Sequence, residues 1–202
     1  MKDVQGGLVL EGLERTVVFN RLRAGMGLRW ELPRLLQGVD ISPGSRCLEI
    51  GTGMGWGTLG LIQRYRGITA IATDYDHAVL PVARAYIQQH APIAHVAFCR
   101  ANAKSFPFPD NTFDVVLALY VLHHVAGYSA ALRDIRRVMK PDGRFLFVDV
   151  VRPAILPRLH TLVPPDGLPS KAELAQLLIE AGFSIERWSG FPGLGFVVAR
   201  CI

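Results

Sequence analysis

Two adjacent histidines in "ALYVLHHV" and a glutamate near the start of the run "CLEIGTGMGWGTLGL" are the candidates for reactive or ligand-binding groups. An imidazole with an unperturbed pKa near 6.5 can take up or release a proton around neutrality, so His123 and His124 are candidate general bases. Tyr120, just before them, is a candidate for shaping a pocket; packing is the alternative for Tyr120 and a structural turn the alternative for the histidines, of which His124 is the first expected to matter for a reaction. Glu49 is of another kind. An acid inside an otherwise apolar strand is costly unless it is paired or borders a site. Beside a glycine turn it would repel a diphosphate and favour a cationic ligand. Pairing with a neighbouring base such as Arg46 is the structural alternative.

The glycines have separable jobs. Gly51 allows a tight turn, Gly53 lets a ligand approach the backbone, and Gly55 lets a helix pack closely. A literal GxGxxG, the mark of a dinucleotide site, also runs from Gly55 to Gly60. Its register is wrong, because that fingerprint starts directly after the strand and Gly55 is already entering a helix. Gly57 and Gly60 are then expected to serve helix packing. Asp74 ends "ITAIATD", about 20 residues past the loop, where an acid accepts hydrogen bonds from ribose hydroxyls. Tyr75 can lay its ring along a nucleobase. Asp76 is expected to cap the helix that begins at His77. Asn102 sits where an amide could read a base edge, with an ordinary turn asparagine as the alternative.

Apolar runs of strand length recur in "CLEI", "ITAIATD", "HVAFCR", "FDVVLAL" and "RFLFVDV", continuous rather than alternating, as in strands covered on both faces. Helical segments over 56–66, 77–90, 128–139 and 170–181 separate or follow them, and 14–37 also reads as helical. This alternation predicts an α/β fold: a doubly wound, Rossmann-like, seven-stranded and mostly parallel sheet with helices on both faces. The tail "GFSIERWSGFPGLGFVVARC" reads as a hairpin, so the last strand runs antiparallel to the rest. At 202 residues the chain suits one domain. Residues 1–40 would be a helical cover, 41–150 the cofactor-binding core, and 151–202 the C-terminal helix and hairpin.

Four motifs, "LEIGTGMGWG", "ATDYD", "NAKSFPFPDNTFDVVLALYVLHHV" and "LRDIRRVMKPDGRFLFVDV", stand in the order and spacing of a known family. Residues 47 to about 150 resemble the class I S-adenosylmethionine-dependent methyltransferases, in the small-molecule branch that includes quinone- and phospholipid-methylating enzymes. The resemblance implies S-adenosylmethionine as cofactor. It implies that Glu49, Gly51, Thr52 and Gly53 hold its methionine part, with the backbone at Leu119 near the amino group. Asp74 and Tyr75 would hold the ribose and base, and Asn102 with the backbone of Ala103 the adenine. Asn102 replaces the usual aspartate, and an amide oxygen still accepts a bond from the adenine amino group. "MKPDG" has Asp142 where the family prefers glycine, and aspartate can take the left-handed conformation. Nothing like the Asn-Pro-Pro-aromatic signature follows the fourth strand, which disfavours the DNA-base and protein-glutamine N-methylating members.

The implied reaction is in-line methyl transfer, in which the protein mainly aligns reactants and excludes water. His123 and His124, just beyond the fourth strand, would serve if the acceptor is a hydroxyl or an acidic carbon. A hydrophobic or anionic small molecule is the expected acceptor, received beneath the arginine-rich N-terminal segment and "ILPRLHTL". Two other classes share some of these features: an NAD(P)-dependent oxidoreductase, opposed by Glu49 and the out-of-register glycines, and a non-catalytic nucleoside-binding regulator.

Composition bounds the setting. Mean hydropathy is +0.26, yet no apolar run approaches the roughly 18 residues of a membrane helix. The opening "MKDVQGGLVL" lacks the apolar core of a signal peptide, so a cytoplasmic location is expected. The cysteines Cys47, Cys99 and Cys201 form no CxxC pair and read as reduced structural thiols, and no metal is expected. A net charge of +5 includes Arg15, Arg21, Arg23, Arg29 and Arg34 near the N-terminus. With Glu11, Glu14 and Glu31 interleaved these read first as a solvated helix face, and they also allow contact with a membrane surface or an anionic ligand. Nucleic acid is disfavoured, since basic residues and aromatics are not interleaved for stacking.

Overall fold

The computed structural model describes residues 21–152 and 168–202. The expected helix start at residue 14, Arg15 and the "ILPRLHTL" stretch lie outside the described residues. The described chain opens with α1 (Arg21–Met26), a π-helical turn (Gly27–Glu31) and α2 (Leu32–Leu35). There follow β1 (Arg46–Ile50), α3 (Trp56–Arg64), β2 (Thr69–Asp74), α4 (Leu80–His90), β3 (Val96–Arg100) and β4 (Phe113–Leu119). A 3₁₀ turn (Leu122–His124) leads to α5 (Tyr128–Val138), β5 (Met139–Val150), α6 (Lys171–Glu180), β6 (Phe183–Phe191) and β7 (Leu194–Cys201).

One seven-stranded sheet carries them all, in the order β3-β2-β1-β4-β5-β7-β6. The first five strands pair in parallel, and β7 runs antiparallel between β5 and β6. The expected antiparallel last strand is therefore present. It also inserts between its hairpin partner and the parallel strands, an order the residue pattern does not reveal. The central strands are buried along nearly their whole length, which is why they read as unbroken apolar runs. One core packs beneath α5 and α6, around Leu132, Ile135, Leu174 and Phe147. The other packs beneath the N-terminal segment, around Leu32, Leu35, Leu36 and Leu117.

Strand order reverses between β1 and β4, so the crevice for a ligand opens at the carboxyl ends of these two strands. Helix α5 fixes the loop that feeds β4. Arg137 donates to the carbonyls of Phe106 (3.0 Å) and Phe108 (2.8 Å), and Asp134 accepts from the Phe106 N–H at 2.5 Å. This explains why "SFPFPDNTFD" and "LRDIRRV" occur together in the sequence.

Asp142 takes the left-handed conformation (φ 62°). Gly60 is a packing glycine, because a Cβ there would lie 2.1 Å from Leu32 Cδ2. Asp76 accepts from the Ala78 N–H at 2.9 Å, but the regular helix starts only at Leu80, so it caps a preceding turn.

Candidate functional site

Glu49 is the fourth residue of β1 and only 3% exposed. Its Oε2 accepts from Thr52 Oγ1 (2.7 Å), the Thr58 N–H (2.9 Å) and Thr58 Oγ1 (2.5 Å). Among the described residues its Oε1 receives no hydrogen bond, and Arg46 instead donates its N–H to Asp114. Burial pushes the Glu49 carboxyl up to about 7, against the three donors, which pull it down. Oε1 occupies the place where a side chain on Gly57 would stand: a Cβ there would lie 2.0 Å away. Gly57 thus admits the carboxylate, a role beyond simple helix packing.

The loop between β1 and α3 has Gly51, Gly53 and Gly55 all at positive φ. A Cβ on Gly51 would strike Val121 Cγ2 at 2.3 Å, which ties the loop to the segment after β4. Asp74 holds the loop from the other side. Its Oδ2 accepts from the Gly53 N–H at 3.1 Å and its Oδ1 from the Asp76 N–H at 3.0 Å, and burial raises its pKa. Thr52 anchors the loop by donating its N–H to the Thr73 carbonyl at 2.8 Å. Tyr75 is gripped by Arg100, which donates to the Tyr75 carbonyl at 3.1 Å and sets its guanidinium 5.3 Å from the ring centre. Asn102 is in an Asx turn, its Oδ1 accepting from the Lys104 N–H at 3.0 Å, and Ala103 beside it is buried.

Leu119 ends β4, and Tyr120 after it is left-handed (φ 57°). For a tyrosine this is strained backbone, of the sort that gathers at functional sites. The 3₁₀ turn that follows brings the histidines against β5. His123 Nδ1 lies 2.5 Å from Asp149 Oδ1, and the His123 N–H donates to Asp149 Oδ2 at 3.0 Å. Asp149 is 1% exposed and also accepts from Tyr128 Oη (3.2 Å) and the Val150 N–H (2.7 Å). A carboxylate is acceptor only, so Nδ1 is the nitrogen that donates to it, and in the neutral imidazole Nε2 is the one left to accept a proton. His124 lies against His123, ring centres 3.8 Å apart. Burial, then the neighbouring His123, lowers its pKa to about 4, with Asp149 opposing.

A cavity of about 520 Å³ lies past Tyr128, bounded by Val125, Leu168, Leu177 and the Arg152–Glu173 ion pair. Another, of about 360 Å³, opens at the opposite ends of β1 to β3 between Arg46, Thr69 and His95, away from the loop.

The structure therefore gathers Glu49, Thr52, Gly53, Asp74 and Tyr75 around the first strand-to-helix turn, and His123 and His124 beyond β4. Sequence reasoning missed Asp149, Tyr128, Thr58 and Arg100. Asp149 had a signal, since it is an acid in the apolar run "FLFVDV", as Glu49 is in "CLEI". The residues present fit S-adenosylmethionine. A buried carboxylate oxygen without a donor among the described residues suits the positive methionine end, and Asp74 suits the ribose.

A doubly wound sheet with an acid-flanked, left-handed glycine loop at its switch point is the frame in which nucleoside ligands sit beyond the strand ends. Residues 48–147 match the family described as "Methyltransferase domain". The ubiquinone/menaquinone biosynthesis C-methyltransferase UbiE of Shewanella oneidensis is 27% identical over 172 residues, covering 70% of this chain and 67% of that protein. Its counterpart from Vibrio campbellii is 28% identical over 182 residues, covering 75% and 69%. A SAM-dependent methyltransferase from Aquifex aeolicus superposes with a TM-score of 0.75 at 18% identity, over 96% of this chain and 100% of that one. The [4+2]-cyclase SpnF also superposes with a TM-score of 0.75, at 21% identity over 85% and 79%, so the fold alone does not name a reaction. Residues 48–147 thus carry a methyltransferase domain, and the chain is similar to the S-adenosylmethionine-dependent methyltransferases that act on small molecules. This takes the place of the oxidoreductase and the non-catalytic regulator.

Proposed function

We propose that the enzyme methylates a hydrophobic ring compound with an ionisable hydroxyl, of the hydroquinone type, and that His123 removes the acceptor's proton. The His123–Asp149 pair carries this reading, because a base held in one tautomer at the end of β4 is what a weakly acidic acceptor requires. The names of the relatives support the ring class, and the apolar walls of the cavity beyond Tyr128 support its hydrophobicity.

Glu49, Gly51, Thr52, Gly53 and the Leu119 backbone would hold the methionine part of the cofactor. Asp74 would hold the ribose, and Tyr75, Asn102 and the Ala103 backbone the adenine. S-adenosylmethionine supplies a methyl group already activated on sulfur. The chain's own contribution is to orient, desolvate and move one proton. His123 Nε2 accepts the proton of the ring hydroxyl, which makes the ring nucleophilic. Asp149 holds Nδ1 and balances the imidazolium that forms, and Tyr128 keeps the carboxylate in place. The proton then returns to solvent. Of the two histidines, His123 has the orienting carboxylate, whereas a side chain with a pKa near 4 is a weak base.

We place the whole chain in one domain, with residues 1–40 as cover, 41–150 as cofactor core and 151–202 completing the sheet. Among the described residues no helix is long and apolar enough to cross a membrane. The free Cys47, Cys99 and Cys201 suit the reducing cytoplasm. Incubation with methyl-labelled S-adenosylmethionine and a panel of prenylated hydroquinones, read by mass spectrometry, tests the acceptor class. A labelled ring product supports it, and transfer confined to non-aromatic acceptors would overturn it.

A further inference from the structure

The N-terminal segment and the β6–β7 hairpin together present a surface that the methyltransferase chemistry does not use. On the segment, Met26 (58% exposed), Trp30 (74%) and Pro33 are exposed, and so are Arg29 and Arg34 beside them. At the hairpin tip, Phe191 is 62% exposed and Pro192 beside it is exposed.

These two parts form one face. The Arg34 guanidinium lies 5.4 Å from the Phe191 ring centre and 5.5 Å from that of Phe196. Arg187 of β6 donates to the carbonyls of Arg34, Leu35 and Gln37 at the end of the segment, and so pins it to the hairpin. The face also lies at the ligand end of the sheet. Val150, the last residue of β5, pairs with Leu194, and the Val151 N–H donates to Gly193 of the tip at 3.1 Å.

A large exposed tryptophan and phenylalanine are expensive to leave in water, and a patch of this sort marks a docking site. Its chemistry selects the occupant. Between residues 24 and 40 the exposed charged side chains are Arg29, Arg34 and Asp40, Asp40 lying beyond the helical turns, and Glu31 is half-buried between the arginines. Indole and phenyl rings flanked by guanidinium groups match the headgroup boundary of an anionic bilayer, where aromatics sit at the interface and arginines meet lipid phosphates.

We propose that Trp30, Met26 and Phe191, with Arg29 and Arg34, form a peripheral docking face for anionic phospholipid bilayers, which sets the ligand edge of the sheet against the membrane surface. Neither this face nor its test depends on the identity of the acceptor.

The test is co-sedimentation of the full chain with phosphatidylcholine vesicles, with and without phosphatidylglycerol. The expected result is binding to the anionic vesicles that weakens as salt is raised, with a blue shift of tryptophan emission. The double variant Trp30→Ser/Phe191→Ser should lose at least about tenfold in partitioning, since two ring side chains no longer enter the interface. Arg29→Gln and Arg34→Gln should each lose about fivefold. Melting temperature and S-adenosylmethionine affinity serve as fold controls, and the single arginine variants carry the test if the double variant is unstable. Absence of binding, or binding unchanged in all these variants, would overturn the proposal. So would a dimer in light scattering that disappears with Trp30→Ser/Phe191→Ser, which would assign the face to a second copy.

Discussion

His123 and Asp149 are joined twice, ring to carboxylate at 2.5 Å and backbone N–H to carboxylate at 3.0 Å, so the imidazole is fixed in both position and tautomer. Asp149→Asn keeps the size of the side chain but can present an N–H where Nδ1 needs an acceptor. Methyl transfer should fall by about 10² or more, through loss of the required tautomer. The dissociation constant for S-adenosylmethionine should stay within about twofold, because Asp149 does not line the glycine loop. Paired turnover and calorimetric titrations of this variant check both parts.

Glu49 gives the cofactor site a pH signature. Its carboxyl titrates near 4.5 when unfolded and at about 7 in the cofactor-free fold, so between these values the folded state binds the additional proton. Stability of the cofactor-free enzyme should therefore fall as pH rises through this window and stay lower above it. Glu49→Gln should flatten that slope in urea unfolding. A positive ligand favours the ionised form, so S-adenosylmethionine should bind more tightly as pH rises through the same window and release a proton as it binds. Calorimetry in two buffers of different ionisation enthalpy measures that proton.

Gly57→Ala and Gly25→Ala make a matched pair. An Ala Cβ at position 57 would meet Glu49 Oε1 at 2.0 Å, whereas at position 25 nothing lies within 4 Å. The first should destabilise by about 1–3 kcal/mol and weaken cofactor binding. The second should stabilise by up to about 1 kcal/mol through helix propensity. Thermal melts and binding titrations of the two variants check the contrast.

Asn102 spends its side-chain oxygen on the Lys104 N–H. Asn102→Asp would leave a second oxygen for the adenine amino group, and S-adenosylmethionine should bind about two- to tenfold more tightly, the value of one additional hydrogen bond. A titration of this variant against the parent reads the change directly.

The sheet was legible because buried parallel strands must be continuous apolar runs, and "CLEI" and "FDVVLAL" can hardly be anything else. The placement of β7 between β5 and β6 was not, since strand order depends on which edge a hairpin covers. Glu49 and Asp74 stood out as acids at strand ends. Asp149 was passed over although it is as buried as Glu49, because its partner His123 lies 26 residues away and only the fold brings them together. Gly57 was read as helix packing, since a glycine in a helix does not reveal that a carboxylate from the neighbouring strand fills its empty side.

The rate of methyl transfer in His123→Ala beside His124→Ala, with cofactor affinity measured on the same preparations, tests which imidazole is the base. His123→Ala should lose about 10²- to 10⁴-fold in turnover with S-adenosylmethionine binding unchanged, and His124→Ala much less. Equal, small losses in both variants would contradict the assignment of His123 as the base.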